Sequence, residues 1–370
     1  MQERNHEIDG IRGWAALFVL MFHFFHELFQ VLVPELSSKA FGFIFNGRMM
    51  VLIFFVLSGD ALSLSFFSRP GDLSGTARMG INRYFRLSFP IVVSCLLAYF
   101  LMIVGLTPNI EAGHRVGLSG WLPTFLNFEP RIQDVLNYSI YGVYFGSSAP
   151  TYNPNLWTMS IEMLGSVLVI AVILVLDRIK YQKTFLAVLF VYLFVFSNFL
   201  SLFVAGVLLG RLRSEGVFDR LSRFSVIWLA VFLFLVGFLM PFVRYKMHDV
   251  FQTMTFELIQ RESFDFMLAI LIVFLSYSCT FLKRFFSNGF SRFLGRISFP
   301  MYVLQFSVLV SFSSILIIEF GKLGILLQYW WVIASSSVVV TIALSIGFSY
   351  AEIRFLKLMN SFWSRRVMKT

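Results

Sequence analysis

Apolar positions along this chain gather in continuous runs rather than in helical stripes or strand-like alternation. The runs cover 14–33, 48–67, 86–106, 155–176, 184–197, 199–210, 225–243, 264–282, 297–318 and 329–351. A helix rising about 1.5 Å per residue needs roughly 20 such residues to cross a hydrocarbon core of about 30 Å. The pattern therefore predicts ten transmembrane helices. The pair 184–197 and 199–210 is the exception in length, since each piece is short. Together they read as two crossings, as one long helix or as a re-entrant hairpin. Charge narrows that choice. With ten crossings and the N-terminus inside, 22 of the 30 Lys and Arg fall on inner segments, as the positive-inside rule requires. Merging the pair into one crossing would put Arg211, Arg213, Arg220 and Arg223 outside. A re-entrant hairpin keeps the same parity.

The expected fold is thus an all-α, polytopic integral membrane helical bundle, one domain over 1–370, with both termini cytoplasmic. Composition agrees. The chain is 58% hydrophobic and 14% charged, against about 25% charged in soluble domains. The net charge of +10 sits at inner boundaries, which points to a lipid bilayer and not to nucleic acid as the partner. The expected place is the cell (plasma or inner) membrane. The first run is too long for a signal peptide and lacks a small-residue cleavage site. Cys95 and Cys279 both lie inside apolar runs, so neither a structural disulfide nor a zinc site is expected.

Two stretches are more than connectors. The segment 107–154 is too long for a plain loop and includes moderately apolar pieces such as Val135–Phe145, so it is expected to form an external cap or a re-entrant lid. The tail 352–370 reads as a basic amphipathic helix on the inner leaflet.

Against this background, ionisable groups inside apolar runs stand out, because they cost free energy in hydrocarbon. His23 lies in the first run, followed by His26 and Glu27. A neutral imidazole can take a proton from a hydroxyl near neutral pH, which makes His23 a candidate general base. A metal or haem held by His23, His26 and Glu27 is the less favoured reading, as no other His falls in a predicted span. Arg12 stands eleven residues before His23. On a continuous α-helix the two share nearly one face, about 16 Å apart in depth.

In FFVLSGDALSLSFF, Asp60 is an intramembrane carboxylate, able to orient His23 or to pair with an arginine. Ser58 and Gly59 precede it, and a glycine there lets a backbone or ligand come close. Arg78, Arg83 and Arg86 lie at the inner face. Arg83 and Arg86 share a helix face and suit the phosphates of a nucleotide-bearing donor, although basic residues belong at that boundary anyway. Glu162, in NPNLWTMSIEMLGSV, is expected about two turns inside the external end of its span. Asn153, Asn155 and Trp157 before it read as a sugar-facing rim. In RISFPMYVLQF, Arg296, Ser298, Tyr302 and Gln305 would start a span, with Pro300 in its first turn. They would line a donor entrance or bridge helices.

Taken in order, these motifs bear a resemblance. Arg12, ten residues, His23, then FFVLSG, RYFRLSFP, LWTMSIE and ISFPMYVLQ resemble the membrane-bound acyltransferase family 3, over about residues 4–306. The resemblance implies transfer of an acyl group, usually acetyl, from cytoplasmic acetyl-CoA to a hydroxyl of a glycan or lipid-linked glycan acceptor. It makes His23 the essential histidine, as base or as acyl carrier, and has Arg12 assist it or contact the donor. It gives Arg83 and Arg86 the coenzyme A phosphates, with Ser58 and Gly59 among the donor-contacting candidates, and it places Glu162 at the family's acidic position. Two departures stand against the pattern. Asp60 occupies a position that is usually apolar or aromatic, and Gln305 stands where the family often has His. No resident cofactor or metal is implied. A second class, a proton-coupled transporter or flippase without chemistry, also suits intramembrane His, Asp and Glu. It would need the inverted repeats and broken helices that this sequence does not display. An acyltransferase working on a lipid or small metabolite is a third reading.

Overall fold

The computed structural model describes residues 6–38, 41, 45–68, 73–146, 149–196, 198–234 and 254–367. Among these residues the regular elements are all helical. Helix α1 (His6–Met21) runs on as a π-helix over Phe22–Glu27. Then come α2 (Gly47–Ser68) and α3 (Leu73–Ile103). Next is α4 (Ile132–Asn137), which continues as π-helix through Gly142 and ends at Phe145. Helix α5 (Thr158–Leu176) follows a 3-10 turn at Pro154–Trp157. The chain goes on through α6 (Gln182–Val195), α7 (Leu200–Ser214) and α8 (Ser225–Phe234). It closes with α9 (Met254–Ser278), α10 (Thr280–Ser287), α11 (Gly289–Val308) and α12 (Leu326–Val367).

Six stretches of the described helices are long and apolar enough to cross a membrane: His6–Glu27, Gly47–Leu64, Gly80–Ile103, Pro154–Leu176, Gly289–Lys322 and Leu326–Met359. A seventh arises if Phe264–Ser278 and Thr280–Ser287 count as one span bent by 90°. The bend falls at Cys279, whose backbone is extended. The remaining runs behave differently. The pair 184–197 and 199–210 forms two separate helices, so the one-long-helix alternative is gone. Each is short of a full bilayer at about 1.5 Å per residue. The run 225–243 is described only as far as Phe234, and the rest of it lies outside the described residues, as does most of the loop 244–263.

Two local expectations need correction. Pro300 is not in the first turn: α11 begins at Gly289, which puts the proline in mid-helix. The Arg296 carbonyl loses its ordinary N–H partner there, which membrane helices tolerate when neighbours supply compensation. The tail is not a separate helix either. It extends the last span as α12 to Val367.

The helices gather into two compact units. The first comprises residues 1–15, 48–82 and 161–295. Its core is rich in phenylalanine: Phe55 packs on Phe199 and Phe203, and Phe218 packs on Phe274 and Tyr277. Helices α2 and α7 touch backbone to backbone. Gly59 lies on the Phe203 carbonyl and Gly206 on the Val56 carbonyl, and a Cβ at either glycine would overlap the opposing chain. Glycine is what lets these helices approach so closely. Lys183 and Arg211 both reach Glu215 (3.0 and 3.1 Å), fastening the start of α6 to the end of α7. The hydrogen bond from Lys183 holds the Glu215 carboxyl below its usual range. Outward, α6 shows Val188, Val191, Tyr192 and Val195, an apolar surface that suits lipid.

The second unit comprises residues 16–47, 83–160 and 296–370. Phe89 of α3 stacks on Phe348 and Phe355 of α12. A stripe of buried small polar residues on α12, Ser337, Thr341, Ser345 and Ser349, allows close packing, and Ser337 bonds Ser313 at 2.7 Å. The segment 107–154 threads back along α3. The Tyr152 ring is 6.5 Å from that of Tyr99, and its hydroxyl bonds the Arg131 backbone. Fifteen residues earlier on α3, the Tyr84 hydroxyl donates to the Ile140 carbonyl at 3.0 Å. The chain then reverses after Phe145, where Gly146 adopts φ +84°. It comes back to α3 at Asn153, whose amide donates to Ser94 (3.4 Å) and to the Val303 carbonyl (3.0 Å).

Candidate active site

His23 sits in the π-helical turn that follows α1. Such single wide turns are uncommon and often mark functional positions. The i+4 residue, Glu27, brings Oε2 to 3.1 Å from the His23 Nδ1. Of the two ring nitrogens, Nδ1 is the one that faces the carboxylate, and Nε2 lies on the opposite side of the ring. The imidazole is 17% exposed. Trp121 lies parallel to it, with ring centroids 6.2 Å apart and planes within 9°. From there Trp121 packs on Phe125, and Phe125 on Phe306. One ring nitrogen is thus tied to a carboxylate and one face covered by an indole, all within the second unit. The ring is thereby held in one orientation.

The alternative reading of His23, His26 and Glu27 as metal ligands finds no geometry. The His26 ring stacks on Phe22 and Phe41, with centroids 5.1 and 6.3 Å away. Among the described residues no three His, Cys, Asp or Glu converge as a metal ion needs.

The first unit assembles a second polar group. Arg12 directs Nη2 to the Leu57 carbonyl (3.3 Å) and the Ser58 hydroxyl (3.5 Å). Ser58 donates to Glu162 Oε1 at 3.0 Å. Ser58 and Glu162 are both buried. Three motifs far apart in the chain, on α1, α2 and α5, therefore meet at one point. The arrangement puts a cation beside a hydroxyl that a carboxylate already polarises, so a bound carbonyl would find hydrogen-bonding and positive charge there. Nearby on α1, the Trp14 indole donates to Ser291 at 3.0 Å and packs on Phe285, anchoring the helix that carries Arg12.

Asp60 is fully buried, and both of its oxygens are engaged. Oδ1 takes the Arg213 guanidinium and Oδ2 the Tyr277 hydroxyl at 2.6 Å. Arg213 also lies over the Tyr277 ring, 5.2 Å from its centroid. Of the two roles the sequence leaves open for Asp60, the pairing with an arginine is the one present. Of the partners left open for Gly59, a backbone or a ligand, the Phe203 backbone is present.

Arg83 and Arg86 stand on α3, the first half-buried and the second exposed. Arg78 lies on the same helix, in the first unit. The expected sugar rim is only partly a rim. Asn153 is completely buried, a pin between α3 and α11, while Trp157 is 53% exposed. Tyr302 bonds Thr158 at 2.7 Å and also the Asn155 carbonyl, so it bridges helices. Buried Gln305 donates to the Tyr302 carbonyl of its own helix.

Sequence reasoning underweighted three residues. Glu27 was visible by its i, i+4 spacing from His23. Trp121 was not, since nothing local ties it to a ring a hundred positions earlier. Arg213 looked like one more inner-face cation until Asp60 claimed it.

Comparison with known proteins completes the picture. No curated protein and no solved structure matches the chain. The model of acyltransferase family 3, described as an acyltransferase domain, matches residues 5–350. With nearly its whole length matched and apolar helices fit to cross a bilayer several times, the chain belongs to the membrane acyltransferase family 3.

Proposed function

We propose that this acyltransferase moves an acetyl group from cytoplasmic acetyl-CoA to a hydroxyl of a carbohydrate acceptor at or across the cell membrane. The observation that carries the reading is the His23–Glu27 pair, an imidazole whose Nδ1 is held against a carboxylate. His23 Nε2 takes the proton of the acceptor hydroxyl as its oxygen attacks the thioester carbonyl. The new C–O bond replaces the C–S bond, and the departing thiolate takes the proton from the imidazolium. Glu27 keeps the ring in place and balances its positive charge. Within the first unit, Glu162 holds the Ser58 hydroxyl, and that oxygen in turn receives the Arg12 guanidinium, fixing it as a cation for a carbonyl bound beside it. Asp60 acts at one remove, by fixing the part of α2 that carries Ser58. The distribution of Lys and Arg supports ten crossings with both termini cytoplasmic, α6 and α7 keeping the parity whether they cross or turn back.

The test is purified protein in nanodiscs with acetyl-CoA, followed by release of free thiol. Release above that of empty nanodiscs is expected, with water as fallback acceptor. Saturable acetyl-CoA binding that leaves the thioester intact, with glycan acceptors present, would instead fit a carrier.

Arg83 and Arg86 are assigned to the donor phosphates. Charge-assisted hydrogen bonds contribute about 1.5–3 kcal/mol each when made. Arg83→Ala with Arg86→Ala should therefore weaken acetyl-CoA binding by roughly a hundredfold or more, while turnover of bound donor changes little. Unchanged affinity in a binding titration would return both arginines to the ordinary role of inner-boundary cations.

A further inference from the structure

The segment that leaves the outer end of α3 does not lie over the protein as a water-exposed cap. We infer that residues 131–146 and 149–153 form the two limbs of a re-entrant hairpin inside the membrane, with one face of its helix covered by the acyl chains of bilayer lipids. Helix α3 supplies the depth scale, because its Gly80–Ile103 stretch is itself apolar and long enough to span. At the mouth, Arg131 and Tyr152 lie by Tyr99. At the tip, Ile140 accepts from Tyr84, and Tyr144 bonds Ser88 at 2.9 Å. From Tyr99 to Tyr84 is fifteen residues, or about 22 Å of helix, roughly two thirds of a hydrocarbon core. The chain then returns to the level of Ser94 at Asn153.

The surface changes with depth in the way a bilayer demands. Near the mouth the exposed residues include Arg131, Gln133 and Asn137. Deeper, they are Ile140, Tyr141 and Phe145, which are 46%, 61% and 65% exposed. Shallower exposed residues on the same stripe are Ile132 and Leu136. Over the deeper part, from Tyr138 to Phe145, the exposed residues are Ile140, Tyr141 and Phe145, while Tyr138, Ser139 and Tyr144 turn inward beside Gly142 and Val143. A soluble cap would turn its polar groups outward there. No charged residue stands between Asp134 and Glu162. The backbone is helical down to Phe145, and the Tyr84 hydroxyl serves a carbonyl near the helix end, where N–H partners run out. At fourteen residues the helix is too short to register as a span, which is why hydropathy alone leaves it as a loop.

Three single-cysteine variants test this: Gln133→Cys, Ile140→Cys and Phe145→Cys. All three sites are exposed, and the native Cys95 and Cys279 are buried, so the unsubstituted chain serves as the blank. In nanodiscs, a charged, membrane-impermeant maleimide should label Gln133→Cys about tenfold or more faster than the other two, because the reactive thiolate is suppressed in hydrocarbon. Bimane attached at 140 and 145 should be quenched by nitroxide-bearing lipid, and bimane at 133 should not. Equal labelling at the three sites without quenching would make the segment an aqueous cap and overturn the inference. Slow labelling without quenching would overturn it too, by showing that the face is covered by protein. In Tyr141→Trp, fluorescence quenched by brominated lipid beyond that of the seven native tryptophans gives the same answer without a cysteine. None of these readouts depends on the reaction, so they stand or fall apart from the acyl-transfer assignment.

Discussion

Replacing His23 by Ala should lower acetyl-CoA-dependent thiol release by about 10²–10⁴-fold, the range a positioned general base contributes. The protein should still be recovered folded in membrane, since the ring is 17% exposed and gives up one hydrogen bond and a stacking contact. Glu27→Gln separates orientation from charge. Glutamine can still hydrogen-bond Nδ1, so the ring's orientation survives, but it no longer balances the imidazolium formed as the proton arrives. Activity should therefore fall, though less than in His23→Ala, with donor affinity unchanged. A His23→Ala protein that releases thiol at the wild-type rate would remove this imidazole from the mechanism. The acid–base work would then pass to the Arg12–Ser58–Glu162 group. A covalent role for His23 would instead appear as labelled acetyl retained on the wild-type chain and absent from the variant.

How much of this was legible in the sequence depends on the range of each interaction. The helical, membrane-spanning character follows from hydropathy alone, because apolar runs in lipid have few folded options. The His23–Glu27 pair was legible as well, being one turn of helix. The Arg12–Ser58–Glu162 group was readable only as three separate motifs. Their meeting depends on which helices touch, and local pattern does not encode that. Asp60 shows the limit most clearly. Its partners, Arg213 and Tyr277, lie on α7 and α9, and the glycines that bring α2 against α7 look like any other helix glycines until the opposing carbonyls are in view. The π-turn at Phe22–Glu27 escaped for a different reason. Rotation of 100° per residue carries Arg12's face only as far as Met21, and the wide turn changes the phase from Phe22 onward. For the segment 107–154 the sequence left a cap and a re-entrant lid open, because its contacts with α3, such as Tyr84 with the Ile140 carbonyl, join residues more than fifty positions apart.

The largest expected effect on stability comes from Asp60. Removing one member of a buried ion pair costs about 3–5 kcal/mol, because the other charge is left without its partner. Arg213 keeps 16% exposure, so Asp60→Ala should fall near the lower end, about 3 kcal/mol. Tyr277 loses its acceptor in the same variant. Asp60→Leu combined with Arg213→Met should recover most of the loss, since apolar residues of similar volume often replace a buried pair at no net cost. Unfolding midpoints of the two singles and the double in one bilayer mimic close the cycle. An Asp60→Ala protein as stable as wild type would mean that the α2–α7 contact rests on its glycines, with the ion pair adding nothing. Activity of the stable double variant then decides what Asp60 does for the reaction. Full turnover would make the pair packing alone. Low kcat with normal donor affinity would show that the charge two residues beyond Ser58 holds that hydroxyl against Glu162 in a way that apolar packing does not reproduce.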